Sequence, residues 1–343
     1  MIYDFVLLIL GFLLISLICI RYHSLIKIES ILLKFFINIK KTNMLQSQNA
    51  KLETQNSKLS KIIAGTMNWG IWDKKLSTQE MLHLIHIFIE NKITTFDHAD
   101  IYGGYTTEAE FGKAFGESKI DRKSIQLISK CGIAAIASNR NTKVKHYDYS
   151  KKYIVWCVEN SLKNLQTDYL DVLLLHRPSP LLIADEVAEA VEKLKSEGKI
   201  IEFGLSNFTA SQTALLLEKT AINYNQIQFS ATQLEPMLDG GLDYMQLHNI
   251  TPMSWNPLGS VFREDSEKTR RLKKLLANLV EKYQVGSDTI LLSWIIKHPS
   301  NVIPVAGTVN VARIQQLFKA TELQLELEDW FAIWSESIGK KVD

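Results

Sequence analysis

Short apolar runs alternate with amphipathic stretches along most of this 343-residue chain, and that alternation predicts an α/β fold, a single (β/α)8 TIM barrel. Two further observations agree with it. Eight such runs can be placed as strands, at 61–66, 93–97, 125–130, 170–175, 200–205, 226–229, 251–255 and 302–306. Asp97, Tyr102, Lys130 and His176 fall at or just beyond the ends of three of them. In a parallel barrel the C-terminal strand ends converge on one face, where functional groups collect. The 46 % hydrophobic and 22 % charged composition supplies one large core. The length also suits two smaller domains, but no internal boundary, low-complexity tract or repeat beyond the βα period is visible.

Taken in order, the chain opens on a different text. Residues 1–43 are an apolar N-terminal extension, with an uncharged run from Phe5 to Ile20 broken only by Gly11, Ser16 and Cys19. Sixteen helical residues rise about 24 Å, short of the roughly 30 Å hydrocarbon core. The flanking Ile2, Tyr3 and Tyr22 bring the run to the lower limit of a membrane anchor. No Lys or Arg precedes it and no small-residue cleavage site follows, so a secretory signal fits poorly. Arg21, Lys27, Lys34, Lys40 and Lys41 all follow the run and would hold the remaining chain in the cytoplasm. The other reading is a mis-assigned start: Ile, Leu, Lys, Phe and Asn dominate, as in translated AT-rich DNA, and Met44 would be the first residue. Either way the barrel domain is expected at 44–343.

Leu52 to Leu59, with Asn56-Ser57 as its turn, reads as an N-terminal β-hairpin able to plug the barrel's bottom. Ser77 with Glu80 forms a capping box at the start of the first helix. A second helix begins near Tyr149 and carries Ile154, Val155, Val158, Leu162 and Leu165 on one face. A third runs from Ala184 to Glu197 and stops at Gly198. Two extra helices are expected after the seventh strand, at 267–283 and 287–297, and a final one at 326–338.

Composition also excludes. The net charge of +2 and the lack of a Lys/Arg-rich run with interleaved aromatics argue against a nucleic-acid partner. Cys19, Cys131 and Cys157 lie far apart, which suggests neither a disulfide framework nor a zinc site and fits a reducing compartment. His83 and His86 have ligand-compatible spacing but no third ligand, so no metal is expected and they read as surface residues. Cys131 should face packing on the side of its strand opposite Lys130. Trp69 and Trp72 either line a substrate mouth or anchor their loop.

Singly, each polar strand-end residue has a bland reading. Asp97 could cap a helix, His176 could be a hydrogen-bonded structural residue, Tyr102 a packing anchor and Lys130 a solvated cation. Converging together, they would be costly to bury unless they paired with one another. A phenol, an ammonium, an imidazole and a carboxylate form a proton-delivery device, such as carbonyl reduction needs near the reacting oxygen. Tyrosine ordinarily titrates at about 10, and a neighbouring ammonium should lower that value. The hydride must come from a cofactor. The G-x-G-x-x-G fingerprint is missing, since Gly103-Gly104 is too short and misplaced.

The words around these residues resemble a known family. Phe96-Asp97-His98-Ala99-Asp100-Ile101-Tyr102-Gly103-Gly104 is similar to the F-D-x-A-x-x-Y-G block of the aldo-keto reductase family, and its F-D-H-A-D-I-Y-G-G-Y wording to a bacterial oxidoreductase subgroup. Ser129-Lys130-Cys131-Gly132 and Leu174-Leu175-His176-Arg177-Pro178 resemble the next blocks. Gly204-Leu205-Ser206-Asn207-Phe208, Asn225-Gln226-Ile227, Trp255-Asn256-Pro257-Leu258-Gly259 and Ile303-Pro304…Gly307-Thr308…Arg313-Ile314 follow in family order. The resemblance covers residue 51 to the C-terminus.

It implies a carbonyl reductase with Tyr102 as general acid, Lys130 and Asp97 as its tuners and His176 as orienter. It implies Ser206, Asn207 and Gln226 on the nicotinamide carboxamide and Trp255 stacked on that ring. Asn256, Leu258, Gly307 and Arg313 would complete the cofactor contacts. One departure stands out: Val305-Ala306 occupy the place where many NADP-dependent members have a basic residue after Ile-Pro. Arg313 remains a partner for a 2′-phosphate, so NADPH is favoured, with NADH possible. The substrate would be a small-molecule carbonyl compound, with no obligate protein partner. The alternative is a non-catalytic, nucleotide-sensing regulatory subunit on the same fold, which fold alone does not exclude.

Overall fold

The computed structural model describes residues 59–343; the expected extension at 1–43, and the hairpin at 52–59 apart from Leu59, lie outside the described residues. Eight parallel strands close into a barrel in the order β1-β10-β9-β8-β7-β6-β3-β2. They are β1 (Ile63–Gly65), β2 (Thr95–Asp97), β3 (Gln126–Cys131), β6 (Leu170–Leu175), β7 (Ile200–Ser206), β8 (Tyr224–Gln228), β9 (Thr251–Trp255) and β10 (Ile303–Ala306). All eight lie where the sequence places them. The sixth strand begins early: β8 starts at Tyr224 because its ladder with β7 already begins at the Gly204–Tyr224 pair. A two-stranded antiparallel pair, β4 (Ile133–Ala134) and β5 (His146–Tyr147), was not anticipated; two residues are too few to show a period.

Strand alternation divides the apolar residues between two cores. Ile63, Ile128, Val172, Leu174, Met253 and Val305 fill the barrel interior, and Leu59 joins them from below. Leu127, Leu173, Leu175, Phe203 and Leu205 face the surrounding helices. That division places the site. Lys130 lies two residues beyond Ile128, and His176 two beyond Leu174, so both continue the inward rows. Asp97 is paired in register with Ile128 and Gly65.

The helices follow their caps. Ser77 and Glu80 form the expected capping box on Thr78–Glu90. Lys151–Leu165 is capped by Ser150 and buries Ile154, Cys157, Val158, Ser161, Leu162 and Leu165; Val155, expected on this face, is only half-buried. Ala184–Ser196 ends as expected, with Gly198 at φ 69°. Glu267–Tyr283, Ser287–Ile296 and Leu327–Ile338 match the three later helices. Among the described residues no helix is long and apolar enough to cross a membrane.

One glycine fixes how closely two helices approach. A Cβ on Gly112, in Thr107–Glu117, would meet the Asn164 carbonyl oxygen at 2.1 Å and the Leu165 Cα at 2.8 Å. Helix propensity alone would make Gly112→Ala stabilising by about 1 kcal/mol. Backbone is the obstacle, so we expect the variant to lose about 1–3 kcal/mol instead. Urea unfolding followed by far-ultraviolet circular dichroism decides the sign.

Candidate active site

The ammonium of Lys130 is the centre of the barrel mouth. Its Nζ donates to Asp97 Oδ1 at 2.8 Å, Asp97 Oδ2 at 2.7 Å, the His98 carbonyl at 2.8 Å and the Tyr102 hydroxyl at 3.1 Å. Lys130 is 1 % exposed and Asp97 3 %. Gln226 reaches across from β8 and donates Nε2 to Asp97 Oδ1 at 2.8 Å. Tyr102 is presented by a 3-10 turn, Tyr102–Gly104, whose glycines Gly103 and Gly104 take φ 61° and 66°. The His176 ring stands nearly perpendicular to that of Tyr102, centroids 6.1 Å apart.

Electrostatics sort the protons. Burial works to depress Lys130, but the Asp97 carboxylate and the Tyr102 oxygen outweigh it, and the amine is held above its ordinary value as a cation. Burial drives His176 well below its ordinary value, with Lys130, Arg177 and Lys145 adding to the effect, so its imidazole is neutral. Tyr102 corrects an expectation. Burial raises it above the ordinary phenol value, and the opposing pull of Lys130 does not overcome this. The phenol therefore keeps its proton firmly rather than standing close to ionisation.

All but one of the expected site residues line a single cleft of about 680 Å³: Asp97, Tyr102, His176, Ser206, Asn207, Gln226, Trp255, Asn256, Leu258, Gly307 and Arg313. The exception, Lys130, lies directly beneath it. Trp255 Nε1 donates to Asn207 Oδ1 at 2.9 Å, and Asn207 Nδ2 donates to Ser206 Oγ at 2.8 Å, which fixes the indole. Asn207 and Asn256 take φ 63° and 52°, a region asparagine tolerates better than most residues. The two loop tryptophans separate. Trp72 lines the cleft, its ring 6.0 Å from that of Tyr102. Trp69 is fully buried against Phe88, Phe96 and Phe111.

Sequence reasoning missed several lining residues. Arg263 donates Nη2 to Asn256 Oδ1 and to the Gly259 carbonyl, each at 2.7 Å. Lys145, Arg177 and Tyr147 also reach the cleft. The one signal for Arg263 was its closeness to the Trp255–Gly259 block. Cys131 is buried in the outer core as expected, and His83 and His86 are exposed. Among the described residues no group of three or more His, Cys, Asp or Glu could hold a metal.

The aldo/keto reductase family model matches residues 61–336. An uncharacterized oxidoreductase of Bacillus subtilis (strain 168), YcsN, is 40 % identical over 292 residues, covering 83 % of this chain and 96 % of that protein. The 6-dehydroglucose reductase of Agrobacterium fabrum is 34 % identical, covering 83 % and 96 %. Among solved structures, the thermostable aldo-keto reductase Tm1743, with the inhibitor epalrestat, superposes with a TM-score of 0.70 at 25 % identity, covering 81 % of this chain and 95 % of its own. The aldo/keto reductase of Klebsiella pneumoniae in complex with NADP and acetate shares the fold at a TM-score of 0.66 and 24 % identity, covering 80 % and 90 %. The family match and these relatives make the chain an oxidoreductase. The chain belongs to the aldo/keto reductase family.

Beneath the mouth, Thr66 Oγ1 donates to the Asp97 carbonyl at 2.9 Å and therefore accepts from His98 Nδ1, also at 2.9 Å. His98 is fully buried, and burial first, then Lys130, holds it at about 3 against an ordinary 6.5. Above pH 6.5 this group is neutral in both folded and unfolded chains. Between 6.5 and 3 the unfolded chain takes up the proton and the folded one does not, so stability is lost as pH falls. His98→Asn should flatten that part of the stability profile. Urea midpoints measured between pH 7 and pH 4 check this; parallel profiles for the two proteins would refute it.

Proposed function

We propose that this protein reduces an aldehyde or ketone with NADPH, using Tyr102 as general acid. The observation that carries the reading is the Tyr102 hydroxyl in the cleft, 3.1 Å from the buried Lys130 ammonium. NADPH would supply the hydride to the carbonyl carbon. Tyr102 would give its proton to the carbonyl oxygen, and the phenolate left behind would face a cation already in place. Asp97 keeps Lys130 charged, and Gln226 and the His98 carbonyl hold the pair in position. His176, neutral and lining the cleft, would orient the oxygen by hydrogen bonding without competing as a charge. Preorganised groups of this kind need no rearrangement when charge develops.

The lining fits the cofactor. The cleft volume lies within the range of about 300–1,000 Å³ usual for ligand sites. Ser206, Asn207 and Gln226 offer the hydroxyl and amides a neutral carboxamide needs, beside the anchored face of Trp255. Arg263 and Arg313 offer guanidinium groups for phosphates. Gly307 leaves its wall open, since a Cβ there would meet only Asn68 Nδ2, at 3.7 Å. The NADP in the Klebsiella structure supports the choice of cofactor, and the Agrobacterium relative's name makes sugar aldehydes early candidates. The same reading takes residues 44–343 as the barrel domain, because every strand among the described residues follows Met44.

Turnover of NADPH and NADH against aldehydes, ketones, quinones and sugars tests the reaction. Tyr102→Phe should lower kcat by roughly 10²-fold while leaving NADPH binding close to wild type. A Phe variant at near wild-type rate would remove Tyr102 from its role. Arg313, exposed at the start of the helix Val311–Leu317, should matter to one nucleotide only. Arg313→Ala is expected to weaken NADPH by about 1.5–3 kcal/mol and leave NADH nearly unchanged, as read by fluorescence titration.

A further inference from the structure

The cleft carries two separate groups of cations. Arg263 follows β9 and Arg313 follows β10, whereas Lys145 follows β3, in the connection between β4 and β5 just before β5, and Arg177 follows β6. In the closed order of eight strands, β3 stands opposite β9 and β6 opposite β10. The strand ends that carry the two groups therefore stand on opposite sides of the mouth. Two carboxylates line the cleft, Asp97 and Asp288. Asp97 is taken by Lys130 through both oxygens, and Asp288 lies in the first turn of Ser287–Ile296, between β9 and β10. No ion pair compensates Lys145 or Arg177 among the described residues.

The second group sits on a braced seat. Tyr149 hydroxyl accepts from the Arg177 amide at 3.0 Å and donates to the Arg177 carbonyl. The same ring covers Gly132, at φ 100°, where a Cβ would come within 1.8 Å of it. Ile133 then pairs with Tyr147, two residues from Lys145. One aromatic side chain thus ties the Arg177 strand end to the stem that carries Lys145. The Arg177 guanidinium lies 5.7 Å from the centroid of the Trp255 ring, so it points toward the middle of the cleft.

We propose that the substrate is a carbonyl compound carrying an anionic group, a carboxylate or a phosphate, which Lys145 and Arg177 bind while Arg263 and Arg313 serve the cofactor's phosphates. This rests on the carbonyl reductase reading and names its substrate class. Uncompensated cations lining a concave site concentrate anions there, and a guanidinium matches the two oxygens of either group. The neutral His176 and the protonated Tyr102 line the same cleft, where the carbonyl must be. The anion anchors one end of the molecule and leaves the other at the phenol.

The test compares 4-oxobutanoate with butanal, and glyceraldehyde 3-phosphate with glyceraldehyde. For at least one pair, kcat/KM for the anionic member should exceed that of the neutral one by about tenfold or more, with the gain in KM. Which pair shows it distinguishes carboxylate from phosphate. Lys145→Met and Arg177→Met should each pull the ratio toward one. A second readout needs no turnover: quenching of tryptophan fluorescence, with Trp72 and Trp255 in the cleft, by succinate but not succinamide, weakened in the doubly substituted protein. A wild-type ratio near one with active neutral substrates overturns the proposal and leaves the reductase reading standing. A ratio retained in both variants also overturns it. Absent turnover with both nucleotides, but succinate binding that depends on Lys145 and Arg177, would keep the anion site and remove the reductase.

Discussion

The mouth of this barrel depends on one buried ion pair. An ammonium removed from water costs several kcal/mol unless its partners are close and well aimed. Lys130 meets that condition only because two adjacent strands, a loop turn and a residue from across the barrel all supply something. Asp97 supplies both carboxylate oxygens, His98 its carbonyl and Tyr102 its hydroxyl, while Gln226 steadies Asp97 from β8. The β2–β3 register, with Asp97 opposite Ile128, sets the separation that the lysine side chain spans. The position of Tyr102 follows from this pair.

Behind the pair, two further carboxyls are kept from competing for the lysine. Burial, followed by the neighbouring Glu108, raises Asp100 well above its ordinary value. Burial likewise raises Glu108, against the Ser129 hydroxyl that donates to it at 2.6 Å. Both therefore hold a proton more readily than an exposed carboxyl would, and the carboxyl that Lys130 meets through both oxygens is Asp97. The buried, neutral His98 fits the same pattern, because a second cation beside Lys130 would be repelled.

Much of this was legible in the sequence. Apolar runs separated by amphipathic stretches, with polar residues at the strand ends, located the barrel, and β6 and β9 coincide with the expected 170–175 and 251–255. The strand-end residues were readable because each needs only the end of its own apolar run. What escaped required the closed barrel. Lys145 and Arg263 come into play through loops that meet only once β3 stands opposite β9. Trp69 and Trp72, three residues apart, go to different places because one meets Phe88, Phe96 and Phe111 and the other meets Tyr102. The sign of the Tyr102 shift was misjudged for a related reason: the sequence shows the neighbouring lysine but not the depth of burial, and burial prevails.

The central claim is that Lys130 acts through Tyr102, as one proton-delivering unit. A double-mutant cycle on kcat/KM, with Lys130→Met, Tyr102→Phe and both together, measures that directly. If the two residues work as a unit, the doubly substituted enzyme loses no more than the worse single variant. Losses that multiply, so that their free energies add, would contradict the account and assign Lys130 to the fold alone.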